Sequence, residues 1–226
     1  MNIEKIYSDI QQNGFSVVEN FLEDVAAVRN EVIKMLDNIE DDSSYKFGKA
    51  YRLPIEEETF IENPSIYKVF SQEWMHHLAM KYLNNQNLYC EIFASNEYRN
   101  NQGLEENGYL HFDKFHTFKY MLYLTDSNQS SGAFSCIPNT HIDGKLLRQS
   151  AWRETSIHEN IKNKPLNHYK DGCGYTEEDI VSIAGKAGTL IVFDTDLFHF
   201  GGRVEEGEER LLIRLHFHDG SRWARQ

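Results

Sequence analysis

The stretch Gly108-Tyr-Leu-His-Phe-Asp-Lys-Phe-His116 places a histidine and an aspartate two positions apart, His111 and Asp113, inside a run of aromatics. Side chains of an extended strand alternate faces, so residues i and i+2 project together while Phe112 points the other way. An imidazole nitrogen and a carboxylate oxygen converging on one point begin a metal site. The same pair also suits a buried hydrogen bond or two ordinary surface residues, and a short motif alone does not choose among these. A second histidine of interest is His199, within Leu197-Phe-His-Phe200. It follows a strand-like Thr189–Phe193 and the turn-forming Asp194-Thr-Asp196, and Gly201-Gly202 lets the backbone turn close by. Its bland alternative is a satisfied core histidine.

The last strand-like segment, residues 210–218, separates by parity. Leu211, Ile213, Leu215 and Phe217 fall on one face, and Arg210, Leu212, Arg214, His216 and His218 on the other. If the segment is a central strand, both guanidinium groups need anionic partners, because arginine does not shed its charge on burial. A carboxylate is the natural match. If it is a half-exposed antiparallel strand, the polar face simply meets solvent.

These residues need elements to hold them. Ile3, Ile6, Tyr7 and Ile10 recur at helical spacing up to a stop at Gly14, and Phe15–Val18 reads as a short strand. Val25, Val28, Val32, Met35 and Ile39 form a second helical stripe. Asn63-Pro64, a capping side chain before proline, opens a helix carrying Ile66, Val69, Phe70, Trp74 and Leu78. Residues 41–58 read as polar and irregular. From about residue 87 the pattern becomes short strands between Asn, Gly, Ser and Asp clusters, at 88–94, 108–113, 116–125, 132–137, 188–194 and 210–218. Antiparallel strands without intervening helices predict a sandwich or barrel. Residues 140–180 form a long, polar, partly helical interruption of the kind that usually has a function. The expectation is a single domain over 1–226, helical over about 1–85 and β-rich over about 87–218.

The chain has 226 residues and a formal net charge of −12, with no basic stripe of the sort that displaces counterions from nucleic acid. No apolar run is long enough to span a membrane, and the charged opening MNIEKIYSDIQQNG does not read as an export signal. Cys90, Cys136 and Cys173 form no CxxC pair and read as reduced thiols of a cytoplasmic protein.

Taken in order, these segments resemble the phytanoyl-CoA dioxygenase family of Fe(II)- and 2-oxoglutarate-dependent oxygenases. The resemblance rests on five stretches: the opening YSDIQQNGFSVVENFLEDVAAVRNEV, His111-Phe-Asp113, residues 118–126, Ser131 to His141, and Ala187 to His199 followed by Arg210. Asn139-Thr140 replaces the family's Gly-Ser in one turn. The family likeness implies a mainly β fold with flanking helices, a double-stranded β-helix (a cupin-like jelly roll). It implies Fe(II) held by His111, Asp113 and His199. It also implies 2-oxoglutarate as cosubstrate, its far carboxylate on Arg210, which follows His199 by eleven residues. Arg214 is the rival for that carboxylate; Lys119 and Tyr123 share a strand face that would line the cosubstrate pocket. Tyr51, Arg52 and Arg214 are the expected substrate contacts. The implied reaction hydroxylates a small-molecule metabolite with dioxygen, releasing succinate and CO2, and the carboxylate of Asp113 argues against halogenation. A cupin-like metal enzyme that does not use 2-oxoglutarate, and a non-catalytic sensor of the same fold, are the alternatives. No oligomeric state is implied.

Overall fold

The computed structural model describes residues 1–39, 47–98, 110–113, 115–153 and 174–220. Helix α1 (Ile3–Asn13) starts where the Asn2 side chain accepts from Lys5 N–H, and it ends at Gly14 in the left-handed region, φ 84°. Strand β1 (Phe15–Val18), helix α2 (Ala26–Asp37), strand β2 (Gly48–Leu53) and helices α3 (Glu57–Glu62), α4 (Pro64–Phe70) and α5 (Glu73–Leu83) complete the N-terminal part. Then come β3 (Tyr89–Glu97), β4 (Phe118–Tyr123), β5 (Phe134–Cys136), α6 (His141–Arg153), a 3-10 turn (Glu177–Asp179), β6 (Val181–Ser182), β7 (Leu190–Asp194), β8 (His199–Gly201) and β9 (Arg210–His218).

The strands form two antiparallel sheets. The larger has the order β1-β7-β4-β9-β3-β2 and the smaller β6-β5-β8. Strand parity separates two cores. One face of the large sheet (Ile92, Tyr120, Leu122, Leu190, Val192, Leu211, Ile213, Leu215, Phe217) is buried with Ile6, Ile10, Val28, Val32, Ile66 and Leu78 of the helices. The other face (Met121, Tyr123, Ile191, Phe193, Leu212) packs with Phe134, Cys136 and Leu197 of the small-sheet side. This is a double-stranded β-helix with its helices outside the large sheet. Burial drives the outer arrangement, each large apolar side chain contributing about 1.5–3 kcal/mol.

Several expectations meet a different backbone. Residues 110–113 form no strand; His111 makes one isolated antiparallel bridge, to His199. The helix expected to run on from Asn63-Pro64 is broken at Ser71-Gln72 into α4 and α5. Asn63 does not cap it: its amide donates to Thr59 O, and the first α4 amides, Ser65 N and Ile66 N, instead donate to the Glu31 carboxylate of α2. The supposedly irregular 41–58 contains β2, recruited as a sheet edge by pairing with β3 from Gly48↔Glu97 to Leu53↔Ile92. Cys173 lies outside the described residues. Among the described residues, no helix is long and apolar enough to cross a membrane.

Candidate metal centre and its cavity

Two elements from opposite sides meet at His111. Its N–H donates to His199 O at 2.8 Å, and His199 N–H returns the bond to His111 O at 2.7 Å. This two-bond bridge brings the imidazoles together, ring centroids 4.6 Å apart. Asp113 arrives by a separate anchor, its N–H donating to Thr195 O at 2.8 Å. His111 and Asp113 therefore converge as their spacing suggests, by single bridges to the Thr195–His199 segment and not by a strand pleat.

The three residues offer ligand atoms that all lie within 4.8 Å of one another. Asp113 Oδ1 is 3.8 Å from His111 Nε2 and 3.6 Å from His199 Nε2. Its other oxygen, Oδ2, accepts from Lys119 Nζ at 2.6 Å. The carboxylate thus presents one oxygen to the imidazoles and gives the other to a cation. Burial would raise the Asp113 pKa, but Lys119 and then the two imidazoles outweigh it and hold the acid ionised. Burial, with the neighbouring His111, pushes His199 down to about 3, so its imidazole is neutral. The contact of His199 Nδ1 with Leu197 O, 2.7 Å, makes Nδ1 the protonated nitrogen and leaves the Nε2 lone pair facing the cluster. Two imidazoles, that of His199 neutral, and one ionised carboxylate on one side of a point, with the other side open, fit a non-haem ferrous ion.

The same three residues line a cavity with Glu97, Lys119, Met121, Phe134, Phe193, Gly201, Leu212, Arg210 and Arg214. Its volume of about 140 Å³ holds roughly five waters at the ~30 Å³ each occupies in the liquid. Arg210, buried at 4 % exposure, donates to Glu97, itself 2 % exposed. Gly201 is what makes room for this guanidinium: a Cβ there would lie 2.5 Å from Arg210 Nη2. The polar face of β9 is therefore interior, and the arginine has the anionic partner that burial demands. Arg214 lines the cavity between Met121 of β4 and Phe93 of β3 in register. His216 stacks on Phe93 with centroids 4.9 Å apart.

The other expected contacts lie elsewhere. Tyr123 shares the strand face of Lys119, but its hydroxyl donates to Ile183 O and accepts from Phe134 N, tying β4 to the small sheet behind the cavity wall. Tyr51 has the parity of Leu53, which is in the helix-side core, so it is on the face of β2 away from the cavity. Arg52 faces the cavity side but pairs with Glu91 outside the described lining. Glu97, by contrast, was not singled out in the sequence. The alternation Tyr89, Glu91, Phe93, Ser95, Glu97 could have supplied it, since the arginines of β9 required an acid on a neighbouring strand.

Beside the His111, Asp113 and His199 cluster is a second charged cluster. His116 Nε2 is 2.9 Å from Asp194 Oδ1, Tyr82 donates to Asp194 Oδ2 at 2.7 Å, and Arg148 holds Asp196 through two bonds of 2.6 and 2.8 Å. His116, Asp194 and Asp196 are close enough to chelate. With a guanidinium already seated on Asp196 and a phenol on Asp194, the cluster is an ion-pair network. It clamps the Asp194–Asp196 turn that precedes His199, while Thr117 N–H and Oγ both bond Thr195 Oγ1, at 2.8 and 3.1 Å. His141 has Nε2 3.2 Å from Gln11 O.

The family model described as Phytanoyl-CoA dioxygenase (PhyH) matches residues 10–210. The chain belongs to the phytanoyl-CoA dioxygenase family of Fe(II)/2-oxoglutarate-dependent oxygenases. Its fold is shared with solved structures of low identity. One is the non-haem alpha-ketoglutarate-dependent epimerase SnoN from nogalamycin biosynthesis: 13% identity, covering 96% of this chain and 83% of that one, TM-score 0.61. HygX from Streptomyces hygroscopicus, solved with nickel and 2-oxoglutarate bound, is 16% identical over 96% of this chain and 87% of that one, TM-score 0.58. EctD from S. alaskensis is 14% identical over 96% and 77%, TM-score 0.61. None of the curated proteins searched matches the chain.

Proposed function

We propose that this chain is an Fe(II)- and 2-oxoglutarate-dependent dioxygenase that hydroxylates a small-molecule metabolite, releasing succinate and CO2. The observation that carries the reading is the cluster His111, Asp113 and His199 opening into one cavity with Arg210. The three residues would hold the ferrous ion, and Arg210, packed against Gly201 in the same cavity, would take the distal carboxylate of 2-oxoglutarate. Bound together, metal and cosubstrate supply the activation of dioxygen coupled to oxidative decarboxylation. Lys119 keeps Asp113 ionised and oriented, and the Phe134 and Phe193 rings beside His199, centroids at 5.7 and 5.2 Å, exclude water from its flank. Asp113 occupies the position that a halogenating enzyme would leave open for halide.

The test is binding first, then turnover. Anaerobic titration with Fe(II) and 2-oxoglutarate should show a ternary complex in the wild type, and His111→Ala and Asp113→Ala should weaken metal binding by more than the ~10–100-fold typical of losing an outer-shell partner, with the circular dichroism spectrum unchanged. Near-wild-type metal affinity in either variant refutes the assignment. Products of a substrate screen should gain one oxygen atom in step with succinate; a product of unchanged mass would instead indicate chemistry such as epimerisation.

A further inference from the structure

The geometry points to an anionic substrate, a small-molecule carboxylate, docked on Arg214. This deepens the proposed function and rests on it.

The cavity's charges can be followed one by one. Its described lining carries three cations, Lys119, Arg210 and Arg214, against two carboxylates, Asp113 and Glu97. Lys119 is bonded to Asp113 and Arg210 to Glu97. Arg214 has no such partner: among the described residues it makes no hydrogen bond or ion pair, and its Nε is buried without an acceptor. Its in-register neighbours explain why, because Met121 on β4 and Phe93 on β3 are both apolar. Glu91, two residues from Phe93 on β3, pairs with Arg52. A half-buried guanidinium flanked by apolar side chains is costly to leave without an anion, since removal from water is not offset by any attraction.

The loaded site does not remove this excess. A ferrous ion adds two positive charges and 2-oxoglutarate two negative ones, so the filled cavity keeps the single positive charge of Arg214. That charge matches a monoanion. A carboxylate fits the planar fork of arginine, whereas a phosphate near its dianionic state would leave the cavity net negative. The excess is local: the chain as a whole carries −12, so this positive cavity runs against the sign of the molecule. Arg214 also lies about 13 Å along β9 from Arg210 at ~3.3 Å per residue, far enough apart for the two arginines to serve different carboxylates.

The experiment uses the Mn(II)- and 2-oxoglutarate-loaded protein and two isosteric probes, 3,3,3-trifluoropropionate and 3,3,3-trifluoropropionamide, followed by fluorine NMR line broadening near the paramagnetic ion. The acid should broaden in the wild type and the amide should not. Arg214→Leu should weaken the acid's effect at least tenfold, while its affinity for 2-oxoglutarate stays within about threefold of wild type and verifies an intact site. Arg214→Lys, which keeps the charge, should recover part of the response. Equal broadening by acid and amide, or an unchanged acid response in Arg214→Leu, overturns the proposal. So does a tenfold loss of 2-oxoglutarate affinity in Arg214→Leu with none in Arg210→Leu, which would make Arg214 the cosubstrate clamp. If the wild type binds neither Mn(II) nor 2-oxoglutarate, the oxygenase reading itself has failed, an outcome separate from all of these.

Discussion

Asp113 divides its two oxygens between different tasks, and Lys119 is the reason it can. With Oδ2 held by the ammonium at 2.6 Å, only Oδ1 faces the imidazoles. The sequence put Lys119 on the lining of the cosubstrate pocket; the contact it makes is with the aspartate. Lys119→Met should therefore weaken Mn(II) binding about 10–100-fold, the usual cost of losing an outer-shell partner, with 2-oxoglutarate affinity measured at saturating metal changed far less. A loss confined to 2-oxoglutarate would put the ammonium on the cosubstrate instead. At this scale the sequence was legible where chemistry is written in residue type and spacing: His111, Asp113, His199 and the arginines of β9 were all visible. Glu97 and Lys119's actual partner were not, because an ion pair across strands depends on register, which a single strand's parity does not contain.

At the scale of elements, the turn Asp194–Asp196 bears the site. It bonds Asp113 N–H through Thr195 O, precedes His199, and is clamped from α6 by Arg148 and from α5 by Tyr82. Asp196, fully buried, should be intolerant of change: Asp196→Asn strands the Arg148 charge and should cost about 3–5 kcal/mol in urea unfolding, with weaker metal binding as well. His116 adds a pH signature. Burial alone would lower its pKa, but the hydrogen bond to Asp194 and the charges of Asp194 and Asp196 raise it. A raised folded-state pKa contributes stability that is fully present below the unfolded value of about 6.5 and disappears as pH rises through the folded value. Asp194, lowered, contributes above the unfolded carboxylate range and loses that contribution in acid. His116→Gln should therefore destabilise the protein more at pH 6 than at pH 9; an equal loss at both would mean that the pair is not charged. Apolar periodicity exposed α1, β1, α2, β4 and β9 in the sequence. It did not expose β2, whose strand character comes from pairing with β3, nor the break between α4 and α5. Residues 110–113 were misjudged as a strand because alternation of side chains was read as evidence of a ladder, when one bridge and one anchor suffice.

For the whole molecule, the site lies between two sheets and binds them only through short contacts. Ligands that bind the folded state alone stabilise it by mass action, about 2.7 kcal/mol at a hundredfold excess over Kd. For a chain of this size, where ~1 kcal/mol shifts the midpoint by about 2–4 °C, Mn(II) with 2-oxoglutarate should raise the melting temperature by roughly 5–10 °C, and EDTA should reverse it. An unchanged midpoint at saturating ligand would contradict a preformed site. The reciprocal bridge between His111 and His199 has a consequence of its own. Among the described residues it is one rung long, so an ion gripping both rings would act as a rivet across a seam. Amide deuterium uptake at 111–113 and 195–199 should then slow sharply on loading, while the amides of β4 and β9, already deep in a continuous ladder, keep their wild-type pace.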